Sequence, residues 1–192
     1  MQLSIVTLGH VHTEDLTALQ PYFTRLEQLV LDIEPRAVLT EHRPELHRAI
    51  DAGTSDWILV VREREVIDDA LAKEIAEAIK HSKAWGFRVR SVPYYTGKPL
   101  RIDVDAGELR LFHRRHFLRR GEMGVQGSVV RLASELRSVT FATPEEHRAH
   151  LAERAQPRSS LARAVTFARY VLGTRTRDAN TLRYLWIESG YK

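Results

Sequence analysis

The feature that most constrains the fold is a run of five apolar residues, Trp57-Ile58-Leu59-Val60-Val61, which a helical repeat follows. A short, continuous apolar run that contains β-branched residues is typical of a strand buried on both faces. Ile67, Leu71, Ile75 and Ile79 then recur at intervals of four residues, which predicts a helix with one buried face. A doubly buried strand followed by such a helix indicates an α/β fold, in which helices cover a sheet.

The same two patterns recur along the rest of the chain. Apolar or alternating runs predict further strands at 3–8, 29–31, 37–39, 86–90, 109–112 and 139–141. Helical spacing predicts further helices at 16–26, 44–50, 144–156 and 160–172, the third of them capped by Thr143 with Pro144 in its first turn. The order of these elements predicts a mixed, mostly parallel sheet with helices at the C-terminus.

Composition excludes several classes of protein. The chain has 192 residues and no cysteine, which excludes disulfide scaffolds, thiolate zinc sites and cysteine nucleophiles. The N-terminus reads as a strand without a basic region before it, so we expect no signal peptide and a cytoplasmic protein. Charge is uneven: residues 1–100 hold 12 Lys and Arg against 15 Asp and Glu, whereas residues 101–192 hold 17 against 10. The second half is therefore the half expected to meet an anionic ligand or surface.

The common nucleotide and hydrolase motifs are missing from the sequence, including G-x-G-x-x-G, the P-loop, G-x-S-x-G and H-E-x-x-H. His10 and His12 form an H-x-H pair after the first strand, which we interpret as a polar loop because the chain is too short for a metal-dependent barrel. A basic run follows the strand at 109–112, and its arginines are candidates for binding phosphate or a partner: Arg114, Arg115, Arg119 and Arg120. We do not expect nucleic acid to be the partner, because no known reader module accompanies these arginines.

One stretch of the sequence resembles a known family. Asp56-Trp57-Ile58-Leu59, Glu65-Val66 and Ala70-Leu71-Ala72-Lys73-Glu74-Ile75 are similar to the central strand and following helix of family 2 glycosyltransferases of lipopolysaccharide core and cell-envelope assembly. Similar segments follow in the family's order: 87–101, Leu109-Arg110-Leu111-Phe112-His113-Arg114, Gly127-Ser128-Val129-Val130-Arg131-Leu132 and Thr143-Pro144-Glu145-Glu146. The resemblance runs from about residue 27 to 155 and implies a GT-A fold of the nucleotide-diphospho-sugar transferase type.

The sequence departs from the family at the catalytic positions. The family's D-x-D carboxylates hold a divalent cation on the sugar-nucleotide diphosphate, but Arg62 and Arg64 stand at those two positions here. Arginine carries donors only and repels a cation, so we expect no divalent metal at this site. The family's catalytic base lies in a segment where this chain offers Glu122 as its single acidic residue. Asp32 matches the nucleobase-contacting aspartate, and Glu65 keeps the acidic position after the D-x-D.

Two functional hypotheses follow. In the first, the chain keeps the glycosyltransferase scaffold without catalysis and is a binding or assembly subunit. In the second, it is an active, metal-independent glycosyltransferase in which Arg62 and Arg64 hold the diphosphate of the sugar nucleotide. An unrelated α/β domain is a third interpretation. The candidate ligand is a nucleoside diphosphate sugar, for which the nucleotide-binding residues would be Asp32, Arg62, Arg64 and Glu65. If no sugar nucleotide binds, the first hypothesis leaves a pure assembly role.

The last part of the chain differs from the rest. We expect a glycosyltransferase-like domain at 1–156 and a basic helical extension at 157–192. In that extension, Leu161, Val165, Ala168 and Leu172 fall on one helix face, with arginines and aromatic residues around them. This pattern fits a helix packed on its own domain, one docked on a partner protein, or one lying on an anionic membrane surface. A membrane-bound form would lie at the inner membrane face.

Overall fold

The computed structural model describes residues 1–32, 43–100, 107–119, 124–141, 143–154, 160–174 and 178–189. The strands are β1 (Gln2–Leu8), β2 (Arg25–Leu31), β3 (Trp57–Arg62), β4 (Glu65–Val66), β5 (Gly86–Tyr95), β6 (Lys98–Pro99), β7 (Glu108–His113) and β8 (Val129–Phe141). The helices are α1 (Arg43–Ala52), α2 (Asp69–His81), α3 (Pro144–Arg154), α4 (Ser160–Thr174) and α5 (Ala179–Glu188). The protein is therefore mixed α/β with C-terminal helices, as the sequence predicted. In the described residues, no helix is both long and apolar enough to span a bilayer.

The sheet has the strand order β2-β1-β3-β7-β5-β8-β4, with β6 beside β5. Strands β2 and β3 pair with β1 in parallel, whereas the β3–β7, β7–β5 and β5–β6 pairs are antiparallel. Three of the five strand pairs whose direction is described are antiparallel, so these pairs do not form the mostly parallel sheet that we expected. Apolar pattern carries no information on strand direction. Among these antiparallel pairs, β5–β6 is the one joined by a two-residue turn, which is too short for a parallel return because that needs a crossover of a dozen or more residues.

The chain divides into two compact units, Met1–Ser91 with Asp105–Arg137, and Val92–Val104 with Ser138–Lys192. In the first unit, β1 and β3 are buried on both faces. Leu59 and Val61 pack in one apolar cluster with α2, and Ile58 and Val60 pack in another with α1. This double burial explains the continuous apolar run that the sequence shows. The domain boundary predicted at residue 156 falls in 155–159, outside the described residues.

The predicted helix at 16–26 is wrong. A 3₁₀ helix covers Thr13–Leu19, and Leu26 belongs to β2. Leu16, Leu19 and Phe23 are all buried in the α2-side cluster, so their spacing correctly marked one buried face. Pro21 has no backbone N–H and cannot continue a helix from its interior, so the buried face is built from a short helix and a turn.

Other predictions differ in extent. Strand β5 continues to Tyr95, whereas the sequence predicted a strand only at 86–90. It then turns into β6 through Thr96 and Gly97, which both have positive φ. Strand β8 covers 13 residues where only 139–141 was predicted. The predicted strand 37–39 lies outside the described residues. The Thr143 cap is confirmed, because its hydroxyl accepts the Glu146 backbone N–H at 3.1 Å.

In the second unit, a small core forms around Tyr95, Leu100, Phe141 and Ile187. The His147 ring stacks between Phe141 and Tyr184, with centroid distances of 4.4 and 4.9 Å, and its Nε2 lies 2.9 Å from Glu188. Helix α5 was not predicted from the sequence. It begins after Asp178, whose carboxylate accepts the Thr181 backbone N–H at 2.8 Å.

Candidate functional site

Three parallel strands end together at one edge of the sheet. Leu8 at the end of β1 pairs with Leu31 on one side and with Arg62 on the other. The chain leaves this edge through Gly9, with φ of 75°, and through Glu63, whose N–H donates to the Leu8 carbonyl at 2.8 Å. Ligands of open α/β sheets bind at the carboxyl ends of the strands. The structure places Arg62, the last residue of β3, at this edge.

The predicted site residues at this edge differ in their surroundings. Asp32 is exposed directly after β2. Arg64 is exposed in the two-residue turn between β3 and β4, with φ of 64°. Glu65 is 2% exposed and points into the protein. His10 and His12 are also exposed near this edge, with ring centroids 5.3 Å apart.

A network of two arginines and two glutamates includes Arg62 at this edge, and we call it the edge quartet: Arg62, Glu65, Glu108 and Arg110. Glu65 and Arg110 are buried, whereas the side chains of Arg62 and Glu108 are partly exposed. Both carboxylate oxygens of Glu65 accept from the Arg110 guanidinium, at 3.0 and 3.3 Å. Glu108 lies 3.0 Å from Nη2 of Arg62 and 3.1 Å from Nε of Arg110. The formal charges cancel, so the quartet is a neutral cluster.

Glu65 is the centre of the edge quartet. Its carboxylate also accepts the backbone N–H of Arg62 at 2.7 Å and the hydroxyl of Ser91 at 2.9 Å. These bonds fix the turn that carries Arg64, because they tie the end of β3 to the start of β4. Burial lowers the pKa of Arg110, and the nearby charge of Glu65 opposes that change.

Sequence reasoning did not find Arg110 or Glu108 as members of this site. Arg110 is completely buried in β7, between Leu109 and Leu111. A signal was present, because a charged residue in the middle of an apolar strand requires a buried partner. The partner is Glu65, which is 45 residues away in the chain, so the sequence alone offered no way to choose it.

The basic run lies at the other end of β3. His113 pairs with Trp57, the first residue of β3, and the Arg114 N–H donates to the Asp56 carbonyl at 2.7 Å. Five residue steps separate Trp57 from Arg62, which is about 17 Å along a strand. The structure therefore does not bring the basic run to the carboxyl edge.

Acidic and carbonyl oxygens contact three of the arginines in this run. The Arg114 guanidinium donates to the Gly53 carbonyl, and Nε of Arg115 lies 3.9 Å from Asp56. Arg119 contacts both carboxylate oxygens of Asp51, with Nη1 at 2.9 Å, and these hydrogen bonds lower the pKa of Asp51. Arg120 and Glu122 lie outside the described residues, so their predicted roles stay predictions.

Aromatic rings gather beside this run. The Trp85 ring stacks on the His116 ring, with centroids 3.9 Å apart. The His113 ring forms edge contacts with both Trp85 and Trp57, with centroid distances of 5.2 and 5.3 Å. Nδ1 of His113 is buried, and no described residue forms a hydrogen bond with it. Burial is the main cause that lowers the pKa of His113. Asp56 opposes this change, whereas His116, Arg115 and Arg114 lower the pKa further.

We therefore expect the free energy of unfolding to depend on His113 in mildly acidic solution. A histidine whose pKa is lowered by folding binds fewer protons in the folded state than in the unfolded state. Neutral His113 contributes fully to the free energy of unfolding above the ordinary histidine pKa of about 6.5. This contribution is lost as the pH falls through the lower pKa of the folded state. Urea unfolding between pH 7.5 and pH 5 measures this loss.

The variant His113→Phe keeps a ring against both tryptophans and removes the titrating group. Its stability should fall less between pH 7.5 and pH 5 than that of the wild type. His81→Gln is the matched control, since His81 is exposed at the end of α2. Equal slopes for the wild type and His113→Phe would contradict the prediction.

No protein-family model matches the chain, and no curated protein matches it. In the part of the chain that the structure describes, no group of three or more His, Asp or Glu side chains is placed to hold a metal ion.

Proposed function

We propose that the protein is a glycosyltransferase-like subunit of GT-A type that lacks catalysis and acts by binding a ligand or assembling with a partner. The observation that supports this proposal is the ion pair between Arg62 and Glu108. Arg62 stands where the resemblance places the first metal-binding carboxylate, and its guanidinium is paired with Glu108. The position therefore offers neither a metal ligand nor a free cation.

The edge quartet supports the same conclusion. A metal-independent transferase needs guanidinium groups free to neutralise the charge that develops on the departing diphosphate. The charge of Arg62 is balanced within the protein, because the quartet holds two carboxylates for its two guanidinium groups. The alternative hypothesis, in which Arg62 and Arg64 clamp the diphosphate, would require Arg62 to leave Glu108.

The ligand we propose for the carboxyl edge is a nucleoside diphosphate sugar, bound without a divalent metal. The exposed side chains of Asp32 and Arg64 lie at the ends of β2 and β3, where such a ligand would contact them. In this proposal Glu65 orders the turn that presents Arg64, because its carboxylate is filled by donors from the protein. Arg64 would then supply the phosphate contact.

Titration calorimetry in EDTA with uridine and guanosine diphosphate sugars tests the proposal. We expect one of them to bind and remain intact, with or without added manganese. Arg64→Ala should weaken this binding by about tenfold to 100-fold, the usual range for one charge-assisted hydrogen bond. Arg48→Ala, an exposed arginine of α1, is the matched control and should bind as the wild type does.

The outcomes separate the hypotheses. Release of the sugar in EDTA, reduced by Arg62→Ala, would establish the metal-independent transferase. Turnover that requires manganese would contradict both hypotheses. If neither sugar nucleotide binds, the ligand part of the proposal is wrong and only the assembly role remains.

A further inference from the structure

The two histidines that follow β1 stand on a backbone that is held in place. Val11 lies between them in the sequence, and its side chain is 4% exposed in the α2-side cluster. The Val11 carbonyl accepts from Nε2 of Gln28 at 3.3 Å, and the His12 carbonyl accepts from the Asp15 N–H at 3.0 Å. The backbone of the pair is therefore fixed, although the side chains of His10 and His12 are exposed.

This backbone turns both histidines to the same side. His12 is extended, with φ of −70° and ψ of 142°. Successive side chains of an extended chain point to opposite sides, so a buried Val11 leaves its two neighbours facing solvent together. Their ring centroids are 5.3 Å apart, and the ring planes are perpendicular. We call His10 and His12 the imidazole pair.

The spacing of the imidazole pair matches that of two ligands on one tetrahedral ion. Zinc–nitrogen bonds of about 2.0–2.1 Å place the centroids of two ligating imidazoles about 5.2 Å apart in tetrahedral geometry. Adjacent positions of a square-planar ion would place them about 4.5 Å apart. Imidazole nitrogen suits zinc, whereas magnesium and manganese prefer oxygen ligands. The chemistry and the spacing of the pair therefore both favour Zn²⁺.

The surroundings of the pair define the kind of zinc site. Among the described residues, no third His, Asp or Glu side chain is placed to complete a metal-binding group. Structural zinc sites are closed by four protein ligands, whereas an ion with fewer protein ligands keeps positions for water or a ligand oxygen. A zinc ion on the imidazole pair would therefore be open to solvent.

We propose that the imidazole pair is a binding site for Zn²⁺, with His10 and His12 as its two protein ligands and water at the remaining positions. The inference goes beyond the proposed function, because neither Arg62 nor Arg64 takes part in it. The ordered backbone favours binding, since the two imidazoles need no rearrangement of the chain to reach one ion.

Titration calorimetry of Zn²⁺ into the full chain, stripped of metal beforehand with EDTA, tests the inference. We expect binding with a Kd of roughly 1–200 μM, because two ligands supply about half the binding free energy of a four-ligand structural site. A tenfold excess of Mg²⁺ should not displace the zinc. Zinc should also raise the melting temperature of the wild type, since it binds the folded chain.

His10→Gln and His12→Gln should each weaken zinc binding by at least tenfold and remove most of the rise in melting temperature. Losing a residue that only hydrogen-bonds a metal ligand already costs about 10- to 100-fold in affinity, so losing a ligand should cost no less. The matched control is His81→Gln. His81 is exposed on α2, 3.3 Å from Glu77, and its replacement should leave zinc binding unchanged.

Four results would overturn the inference. The first is no binding of Zn²⁺ at concentrations up to about 1 mM. The second is equal affinity in the wild type and in both variants of the pair. The third is loss of zinc binding in His81→Gln, which would place the ion on α2. The fourth is displacement of the zinc by Mg²⁺, which would indicate oxygen ligands. Thermal melts without metal exclude unfolding of a variant as the cause.

The sugar-nucleotide titration is independent of this experiment, because it is carried out in EDTA, which removes zinc. Failure of Zn²⁺ to bind would refute the imidazole pair as a metal site and leave the nucleotide result unchanged. Failure of the sugar nucleotides to bind would refute the proposed ligand and leave the zinc titration unchanged.

Discussion

Arg110→Met should lower the free energy of unfolding by about 3–5 kcal/mol, the cost of removing one partner from a buried ion pair. Arg110 and Glu65 are 0% and 2% exposed, so the substitution leaves the Glu65 carboxylate charged and without its cation in the protein interior. Methionine fills much of the same volume, so the loss reports the missing charge rather than a cavity. Urea unfolding followed by tryptophan fluorescence measures it.

The double variant Glu65→Gln with Arg110→Met is the control for this interpretation. Glutamine keeps an oxygen for the Arg62 N–H and removes the buried charge, so the double variant should be more stable than Arg110→Met alone. If the double variant is less stable than the single one, the loss comes from packing. A change under about 1 kcal/mol in Arg110→Met would contradict the central role of the quartet.

Ending the chain at residue 156 should abolish cooperative unfolding of the unit formed by 92–104 and 138–192. Helix α5 supplies Leu185 and Ile187, which are buried, and burial of two such side chains is worth roughly 3–6 kcal/mol. The truncation also removes Asn180, whose Nδ2 donates to the Tyr95 carbonyl at 2.7 Å, and Glu188, the partner of His147. Loss of hydrogen-exchange protection of the backbone amides of α3 measures the effect.

Leu172→Ala provides the control for the truncation. Leu172 is exposed on α4, so its removal should change stability by no more than about 0.5 kcal/mol. If the amides of α3 kept full hydrogen-exchange protection in the truncated chain, then α5 would not stabilise the core of this unit. The comparison separates the two C-terminal helices, because Leu185 and Ile187 of α5 are buried whereas Leu172 of α4 is exposed.

The sequence predicted those features that depend on local pattern. The run at 57–61 predicted β3, the four-residue spacing predicted α2, and Thr143 predicted the start of α3, and all three are confirmed. The spacing of apolar side chains and the capping of a helix each depend on a few neighbouring residues, so both can be recognised in the sequence. The wrong helix at 16–26 shows the limit of this approach, because a buried face can be spaced like a helix without being one.

The placement of Arg62 was also readable, because a residue that follows a buried parallel strand must lie at its carboxyl end. The residues that contact Arg62 could not be predicted from the sequence. Glu108 is 46 residues away, and its position beside Arg62 depends on the antiparallel pairing of β3 with β7. The sequence also could not show whether the basic run lies at the carboxyl edge. Because β7 pairs antiparallel with β3, the basic run after β7 lies at the start of β3, and the carboxyl edge lies at its end.

The sequence by itself determined the α/β class, the central strand, the arginines at positions 62 and 64 at the end of that strand and the basic, apolar character of α4. Each of these depends on residue type or on spacing within one element. Only the tertiary structure decided that Arg62 and Arg110 are neutralised by Glu65 and Glu108, and that the apolar face of α4 is exposed. The reason is physical: the charge a guanidinium presents and the area an apolar side chain exposes depend on neighbours that folding brings from distant parts of the chain.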